Sequence, residues 1–374
     1  MVPKMKKIAI SGGGTAGHVF PALAVMKEIK KLKKDSDFLY LGSKGGFEAK
    51  IIPQEGFRFI SIPCGKIRKY FDPIALVQDV VDLIKIPFGL LKSFFVLRKE
   101  KPDAIFIKGG YVSLPVGLSA SLLKIPFLIH ESDLELGLAN RVLSRFASKI
   151  AVSFPKDFYN LPQEKLIFSG NPIREKLVEG NKKKALKFFN LGENLPTILI
   201  IGGSQGARKI NYAILDCLPE LLKSCQIIHL VGFWDWEDFS KKYHSLADKE
   251  KTRYKIFKFL EEKELGLAYA VSDLIVSRGG ANVLAEISAL GKPSILIPIP
   301  GHQENNIRFY TKKEAGEFIS NKVISGKVLS FKIKVLLSHP SYMKKLAKNI
   351  KKLSHPGAAK ILAKEVLSLR KVQK

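Results

Sequence analysis

Cysteine is scarce, with three residues in a chain of 374, at positions 64, 217 and 225. None has the spacing of a zinc site or of a redox Cys-x-x-Cys. An odd, unpatterned set excludes a disulfide scaffold and suits a reducing cytoplasm. Acid is also in short supply: 34 Asp and Glu stand against 62 Lys and Arg, a net charge of +28. That balance points to an anionic partner such as nucleic acid, phospholipid headgroups or a phosphorylated substrate; the alternative is a lysine-rich solvated surface. For nucleic acid there is neither a reading module nor an interleaving of aromatics with lysines, so no nucleic-acid partner is expected. Long apolar runs are missing. The longest, Val112 to Ile129, contains Pro115, Lys124 and Pro126, and it divides into a helix and a buried strand, not a membrane span. Met1 to Lys7 is too short for the apolar region of a secretory signal, so none is expected before the first strand. Low-complexity segments, short-period repeats and an Asp-x-Asp at a strand end are all lacking.

The rest is organised around one stretch. Ile8 to Ile10 is an apolar run of strand type. Gly12, Gly14 and Gly17 then fit G-x-G-x-x-G, and Val19 to Met26 begins a helix, with Pro21 at home in its first turn. Such a turn brings backbone N–H groups and a helix N-terminus to a phosphate. A dinucleotide site also needs an acid at the end of the next strand. That strand, Phe38 to Leu41, ends in Gly42-Ser43-Lys44. The ribose acid of an NAD enzyme is therefore missing, although Ser43 and Lys44 suit NADP. His18 puts an ionisable side chain in the turn itself.

Strand patterns at 7–11, 38–42, 104–107, 127–130, 149–152 and 166–169 alternate with helical patterns at 19–34, 47–53, 74–99, 113–123 and 137–146. This alternation predicts a parallel, doubly wound sheet. After Gly170-Asn171-Pro172 the opening motif is echoed. Thr197 to Ile201 runs into Gly202-Gly203-Ser204-Gln205-Gly206, and strand patterns follow at 226–231, 254–258, 273–277 and 294–297. A third glycine turn, Arg278-Gly279-Gly280-Ala281-Asn282, precedes a helix that Gly291-Lys292-Pro293 ends. The tail from Pro340 is lysine-rich and helical, divided at Pro356-Gly357. The expected fold class is α/β, with two Rossmann-like domains in tandem over 1–172 and 173–356.

Ligands of such sheets bind outside the C-terminal ends of the strands. Three glycine turns, two beside the basic Arg208 and Arg278, suit a diphosphate; the alternative for each turn is that glycine is needed for packing. Glu286 lies on the helix after the third turn and suits two vicinal hydroxyls, against the alternative of a solvated helix charge. The amide-rich His302 to Asn306 loop suits a sugar. His130-Glu131-Ser132-Asp133 and Lys108-Gly109-Gly110-Tyr111 are polar clusters closing buried strands.

GGGTAGHVFPALAV, KPDAIFIKGGYVSLP, HESDLELGLANR, GNPIR, GGSQGARKIN, SRGGANVLAEI and HQENN occur in this order. Together they resemble the MurG family, bacterial N-acetylglucosaminyltransferases that convert lipid I to lipid II in peptidoglycan synthesis, on which cell shape and division depend. The resemblance implies a GT-B fold, two Rossmann-like domains facing a deep cleft, with the last helix, about 357–374, returning to the first domain. It implies UDP-N-acetylglucosamine (UDP-GlcNAc) on the second domain. Leu260 would contact uracil through its backbone and Glu286 the ribose. Ser204 and Arg174 would meet the diphosphate, with the helix N-terminus at Ala281 and Asn282. Gln303 and His302 would bind the sugar. Thr15, Ala16 and Gly17 would complete the donor site from the first domain. The undecaprenyl-diphosphate MurNAc-peptide acceptor would bind there too, at Gly14, Gly17, His18 and Tyr111. Asp133, assigned to the donor sugar, stands where many members carry Asn. Arg278-Gly279-Gly280 also departs from the family's Arg-Ser-Gly.

An α-linked donor and a β-linked product imply inversion in one displacement. A base must take the acceptor proton, and cationic and N–H groups must stabilise the leaving UDP. His18, with an ordinary imidazole pKa of about 6.5, is the first choice of base and Glu131 the alternative. No cofactor and no obligatory metal are expected. Peripheral docking on an anionic membrane, at its cytoplasmic face, is expected through the segment Pro73 to Lys101. There Lys85, Phe88, Leu91 and Lys92 are the contact candidates, after basic Lys66, Arg68 and Lys69. The alternative is that the apolar residues of this segment, from Val77 and Val80 onward, are core. Other functions remain in play. An NAD(P) oxidoreductase would leave the second glycine turn and the His302 loop unexplained. A UDP-sugar epimerase, or a transferase with another lipid acceptor, would keep the fold.

Overall fold

A computed structural model describes residues 6–65, 73–203, 205–301 and 303–370, and for 73–84 only the course of the backbone. The chain forms two compact units. One runs to Ile173 and includes the stretch from Pro356; the other is Arg174–His355.

The first unit alternates β1 (Lys7–Gly12), α1 (Ala16–Leu32), β2 (Asp37–Gly42), α2 (Glu48–Gln54), β3 (Arg58–Ser61), α3 (Pro73–Glu100), β4 (Ala104–Gly109), α4 (Ser113–Leu122), β5 (Phe127–Glu131), α5 (Leu138–Leu143), β6 (Lys149–Val152) and β7 (Leu166–Phe168). Among the described residues the seven strands pair in parallel, in the order β3-β2-β1-β4-β5-β6-β7. Strands buried on both faces explain why β4 and β5 read as nearly unbroken apolar runs. The order reverses between β1 and β4, the switch point where such sheets bind ligands. β3 is an addition to the pattern: only Phe59 and Ile60 are apolar in this edge strand.

Helix α1 starts at Ala16, three residues before the expected Val19, so Pro21 lies inside it and not in its first turn. There its lack of an N–H removes one rung of the helix ladder. The buried face of α1 packs under the sheet with Leu362, Ala363 and Val366. These belong to the last helix, which Lys6 Nζ anchors at the Leu369 carbonyl (3.0 Å).

The second unit contains α6 (Lys182–Phe189), β8 (Thr197–Ile201), α7 (Arg208–Leu221), β9 (Gln226–Leu230), α8 (Trp236–His244), α9 (Asp248–Arg253), β10 (Tyr254–Phe257), α10 (Glu262–Val271), β11 (Leu274–Ser277), α11 (Ala281–Leu290), β12 (Ser294–Leu296), α12 (Glu304–Lys312), β13 (Glu317–Phe318), α13 (Gly326–Leu337) and α14 (Pro340–Lys352); the anchored last helix is α15 (Ala358–Ser368). Its sheet, also parallel, runs β10-β9-β8-β11-β12-β13, with the reversal between β8 and β11. The core joins the strands' β-branched residues to the inner faces of α7, α13 and α14. Cys217 and Cys225 are buried here, and burial pushes both thiols up to about 12. They behave as small apolar residues. Among the described residues no helix is long and apolar enough to cross a membrane.

Candidate active site

In the second unit two glycine turns stand at the reversal of strand order. Gly206 and Gly232 have φ of +92° and +86°. A Cβ on Gly232 would lie 2.3 Å from the Gly206 Cα, so the turn after β8 lies directly on the loop after β9. Ser204 falls outside the described residues. The turn after β11 places Gly280 at the N-cap of α11, whose first turn carries no acid. Gln303 is held beside it: its Oε1 accepts from Ile299 N (3.0 Å), and its Nε2 lies 3.3 Å from where a Gly280 Cβ would stand. His302 also falls outside the described residues. Ala281 is buried, and Asn282 follows it in the first turn of α11.

Glu286 is not a solvated helix charge. It is 8% exposed, accepting a hydrogen bond from the Tyr269 hydroxyl (2.7 Å) and pairing with Arg174 Nη2 (3.3 Å). Burial first, and then the carboxylate, push the Tyr269 hydroxyl well above its usual range, so it stays a donor. Two residues expected at ribose and diphosphate are thus in contact 112 positions apart. Leu260, just after β10, is buried. The basic residues expected at the turns have partners within their own unit. Arg278 is spent on its own unit, donating to the Ile297 and Pro298 carbonyls and to Asn321 Oδ1 (3.4, 3.1 and 2.8 Å). Arg208 lies over the Tyr212 ring and beside Asp235 (3.6 Å).

In the first unit Thr15 is the N-cap of α1, with Ala16 and Gly17 opening the helix. Its Oγ1 is hydrogen-bonded to His18 Nδ1 (3.1 Å). The His18 ring lies against Gly109, and Tyr111 lies against Gly14, so the residues expected at the acceptor share one sheet edge. The glycine turn between them is not an open phosphate cradle. Glu48, fully buried at the start of α2, accepts from Gly14 N (3.0 Å), Ser43 N (2.8 Å) and Ser43 Oγ (2.6 Å). A carboxylate there repels a phosphate, and Ser43 is not available to NADP.

At the end of β5, Glu131 is saturated. Oε1 accepts from Ser132 N and Asp133 N (2.9 and 3.2 Å), and Oε2 from Gly137 N and Asn140 Nδ2 (2.9 and 3.0 Å). Burial, then Asp133, raises its pKa, against the Gly137 and Asn140 bonds. The Asp133 carbonyl accepts from Tyr159 (3.0 Å). His130 is buried on the Gly170 carbonyl (3.0 Å), and burial, with Lys108 nearby, holds it neutral.

On α3, Lys85 and Lys92 are exposed with Phe88 (63%) and Leu91 (55%). Phe95 on α3, and Leu138 and Val142 on α5, are exposed too. Lys66, Arg68, Lys69 and the side chains of Val77 and Val80 lie outside the described residues. Glu48, Tyr269 and Asn140 were not expected, and the sequence marks Lys108 only as part of a polar cluster closing its strand. Gly45-Gly46 ahead of Glu48, at a helix start, was the one available signal. Among the described residues no cluster of His, Cys, Asp or Glu could hold a metal ion.

The glycosyltransferase family 28 N-terminal domain matches residues 8–152 and the family 28 C-terminal domain residues 197–362. A Bacillus cereus protein named UDP-N-acetylglucosamine–N-acetylmuramyl-(pentapeptide) pyrophosphoryl-undecaprenol N-acetylglucosamine transferase 2 is 42% identical over 79% of this chain and 80% of its own. The chain belongs to the MurG family. A Thermodesulfovibrio yellowstonii relative with the corresponding name is 39% identical over 91% of this chain and 92% of its own. The solved structure of Acinetobacter baumannii MurG superposes with a TM-score of 0.73 at 25% identity, covering 97% of this chain and all of that one. This MurG-family chain is therefore a glycosyltransferase with the two Rossmann-like units of the GT-B class.

Proposed function

We propose that the protein transfers N-acetylglucosamine from UDP-GlcNAc, with inversion, to the muramyl sugar of an undecaprenyl-diphosphate MurNAc-peptide. The product would serve peptidoglycan assembly and, through it, cell shape and division. The observation that carries this reading is the Arg174–Glu286–Tyr269 cluster (3.3 and 2.7 Å), centred on Glu286 of α11, a helix whose first turn has no acid. Glu286, held by Tyr269, takes the ribose hydroxyls. Arg174, released to the ligand, and the N-terminus of α11 at Ala281 and Asn282 meet the diphosphate, as does Ser204. Negative charge growing on the leaving UDP is stabilised there, and no metal is required. Leu260 takes the uracil. Gln303 and His302 take the sugar. Gly14, Gly17, His18 and Tyr111 take the acceptor.

His18 is the base in this reading. Thr15 Oγ1 fixes one ring nitrogen, leaving the proton transfer to the other. Glu131, each of whose oxygens accepts two hydrogen bonds, shapes its loop in this reading and does not move a proton. Docking to the cytoplasmic face of an anionic membrane is supported by the apolar, basic-rimmed faces of α3 and α5. The test is UDP release. It should need both UDP-GlcNAc and a polyprenyl-diphosphate MurNAc-peptide. Equal release without acceptor, or conversion of UDP-GlcNAc to an epimer, would overturn the reading.

A further inference from the structure

Lys108 is a charge that no step above uses. It is the fifth residue of β4, in the middle of the sheet, and only 2% exposed. Alternation along the strand puts it on the face of Ala104 and Phe106, which belong to the hydrophobic core. The side chain runs beside the first glycine turn, where a Cβ on Gly12 would lie 2.9 Å from the Lys108 Cβ. Its ammonium donates to Ser132 Oγ, which donates in turn to Asn171 Oδ1 (3.0 Å). An apolar residue would satisfy this strand face without burying a charge.

We propose that Lys108 is a positioning residue for sugar transfer: through Ser132, and by facing Glu131 and Asp133, its ammonium holds the 131–133 loop in the shape that meets the donor sugar. This rests on the assignment of Asp133 above. Burial lowers the Lys108 pKa to about 8, against the pull of Glu131 and Asp133. The other titratable groups around it are His130 on β5, Tyr159 at the Asp133 carbonyl, Tyr40 at the Gly12 carbonyl, Glu48 behind Gly14, and His18 beside Gly109.

Two readouts separate positioning from simple support. The folded-state pKa is lowered, so protonated Lys108 opposes folding below about pH 8, and its contribution to stability grows as pH rises toward about 10.4, the unfolded value. Lys108→Met should therefore raise the Tm at neutral pH by a few degrees. The same variant should raise the donor KM about tenfold, the loss of one charge-assisted hydrogen bond, with kcat changed less. In the unaltered protein the donor KM should climb above about pH 8 as the ammonium is lost; in Lys108→Met it should not. Ser132→Ala should also raise the donor KM. A wild-type KM flat through that range, a Lys108→Met protein of unchanged KM, or one of lowered Tm would overturn the proposal. If Lys108→Met does not fold, the wild-type profile and Ser132→Ala decide alone. Failure of the functional reading shows separately, as absence of acceptor-dependent UDP release by the wild-type protein.

Discussion

The two strand–glycine turn–helix motifs, Gly12–Gly17 in the first unit and Gly202–Gly206 in the second, look alike in sequence and are filled in opposite ways. In the first, a buried carboxylate takes the Gly14 N–H, and a Cβ on Gly13 would lie 2.1 Å from Glu48 Oε1. In the second, the turn packs on the backbone of Gly232, and the neighbouring acid, Asp235, is held by Asn211 (2.8 Å) and Arg208 (3.6 Å). Beside it, α11 starts without an acid, whereas α10 starts with Glu262 and Glu264. Acids in a first turn stabilise a helix but compete with an anionic ligand. A glycine turn is thus a shape used twice, and the side chain that fills it decides whether a phosphate is welcome. In the first unit Glu48 ties that turn to Ser43, and in the proposed reading the turn carries Thr15 and His18. In the proposed reading the second unit's turns take the nucleotide.

The contrast can be broken at several points. His18→Ala should cut turnover roughly 10²–10⁴-fold, the usual contribution of a general base, with donor affinity nearly unchanged. Steady-state assays at saturating acceptor decide this, and near-normal turnover would make His18 structural. Glu48→Ala should lower the stability of the first unit by about 3 kcal/mol or more, since three donors to a buried carboxylate lose their partner. Chemical denaturation measures this, and a loss under about 1 kcal/mol would mean that the turn does not depend on Glu48. Changing Lys85 and Lys92 to Glu should have the smallest effect, about 1 kcal/mol of membrane affinity for each charge removed. In flotation with anionic liposomes, binding should weaken with salt and drop in the variant. Equal flotation on neutral and anionic vesicles would remove electrostatics from the docking.

Much of this was legible in the chain. Ile8–Ile10 and Thr197–Ile201 run straight into glycine, so β1 and β8 announce themselves. The apolar set of the 74–99 helix is too wide for one buried face, and Phe88 and Leu91 are exposed accordingly. Glu286 is legible from its place on the helix after the third turn, Arg174 entered through resemblance, and the fold puts them 3.3 Å apart. Other features carry no local pattern. Glu48 acts on Gly14, 34 residues before it, and Lys108 on Ser132, 24 residues after it. Such partnerships exist only once the sheet has set its strand order. Arg278 shows the opposite failure, because a basic residue at a glycine turn suggests a phosphate but here serves backbone carbonyls.

The division of labour between the turns is tested most directly by calorimetric titration of UDP into the wild-type protein, Glu286→Gln and Glu48→Gln. Glu286→Gln should weaken binding by about 1.5–3 kcal/mol, the loss of a charged hydrogen-bond partner, while Glu48→Gln should bind UDP as the wild type does. Loss of UDP binding in Glu48→Gln with Glu286→Gln unaffected would place the nucleotide on the first turn and contradict the assignment.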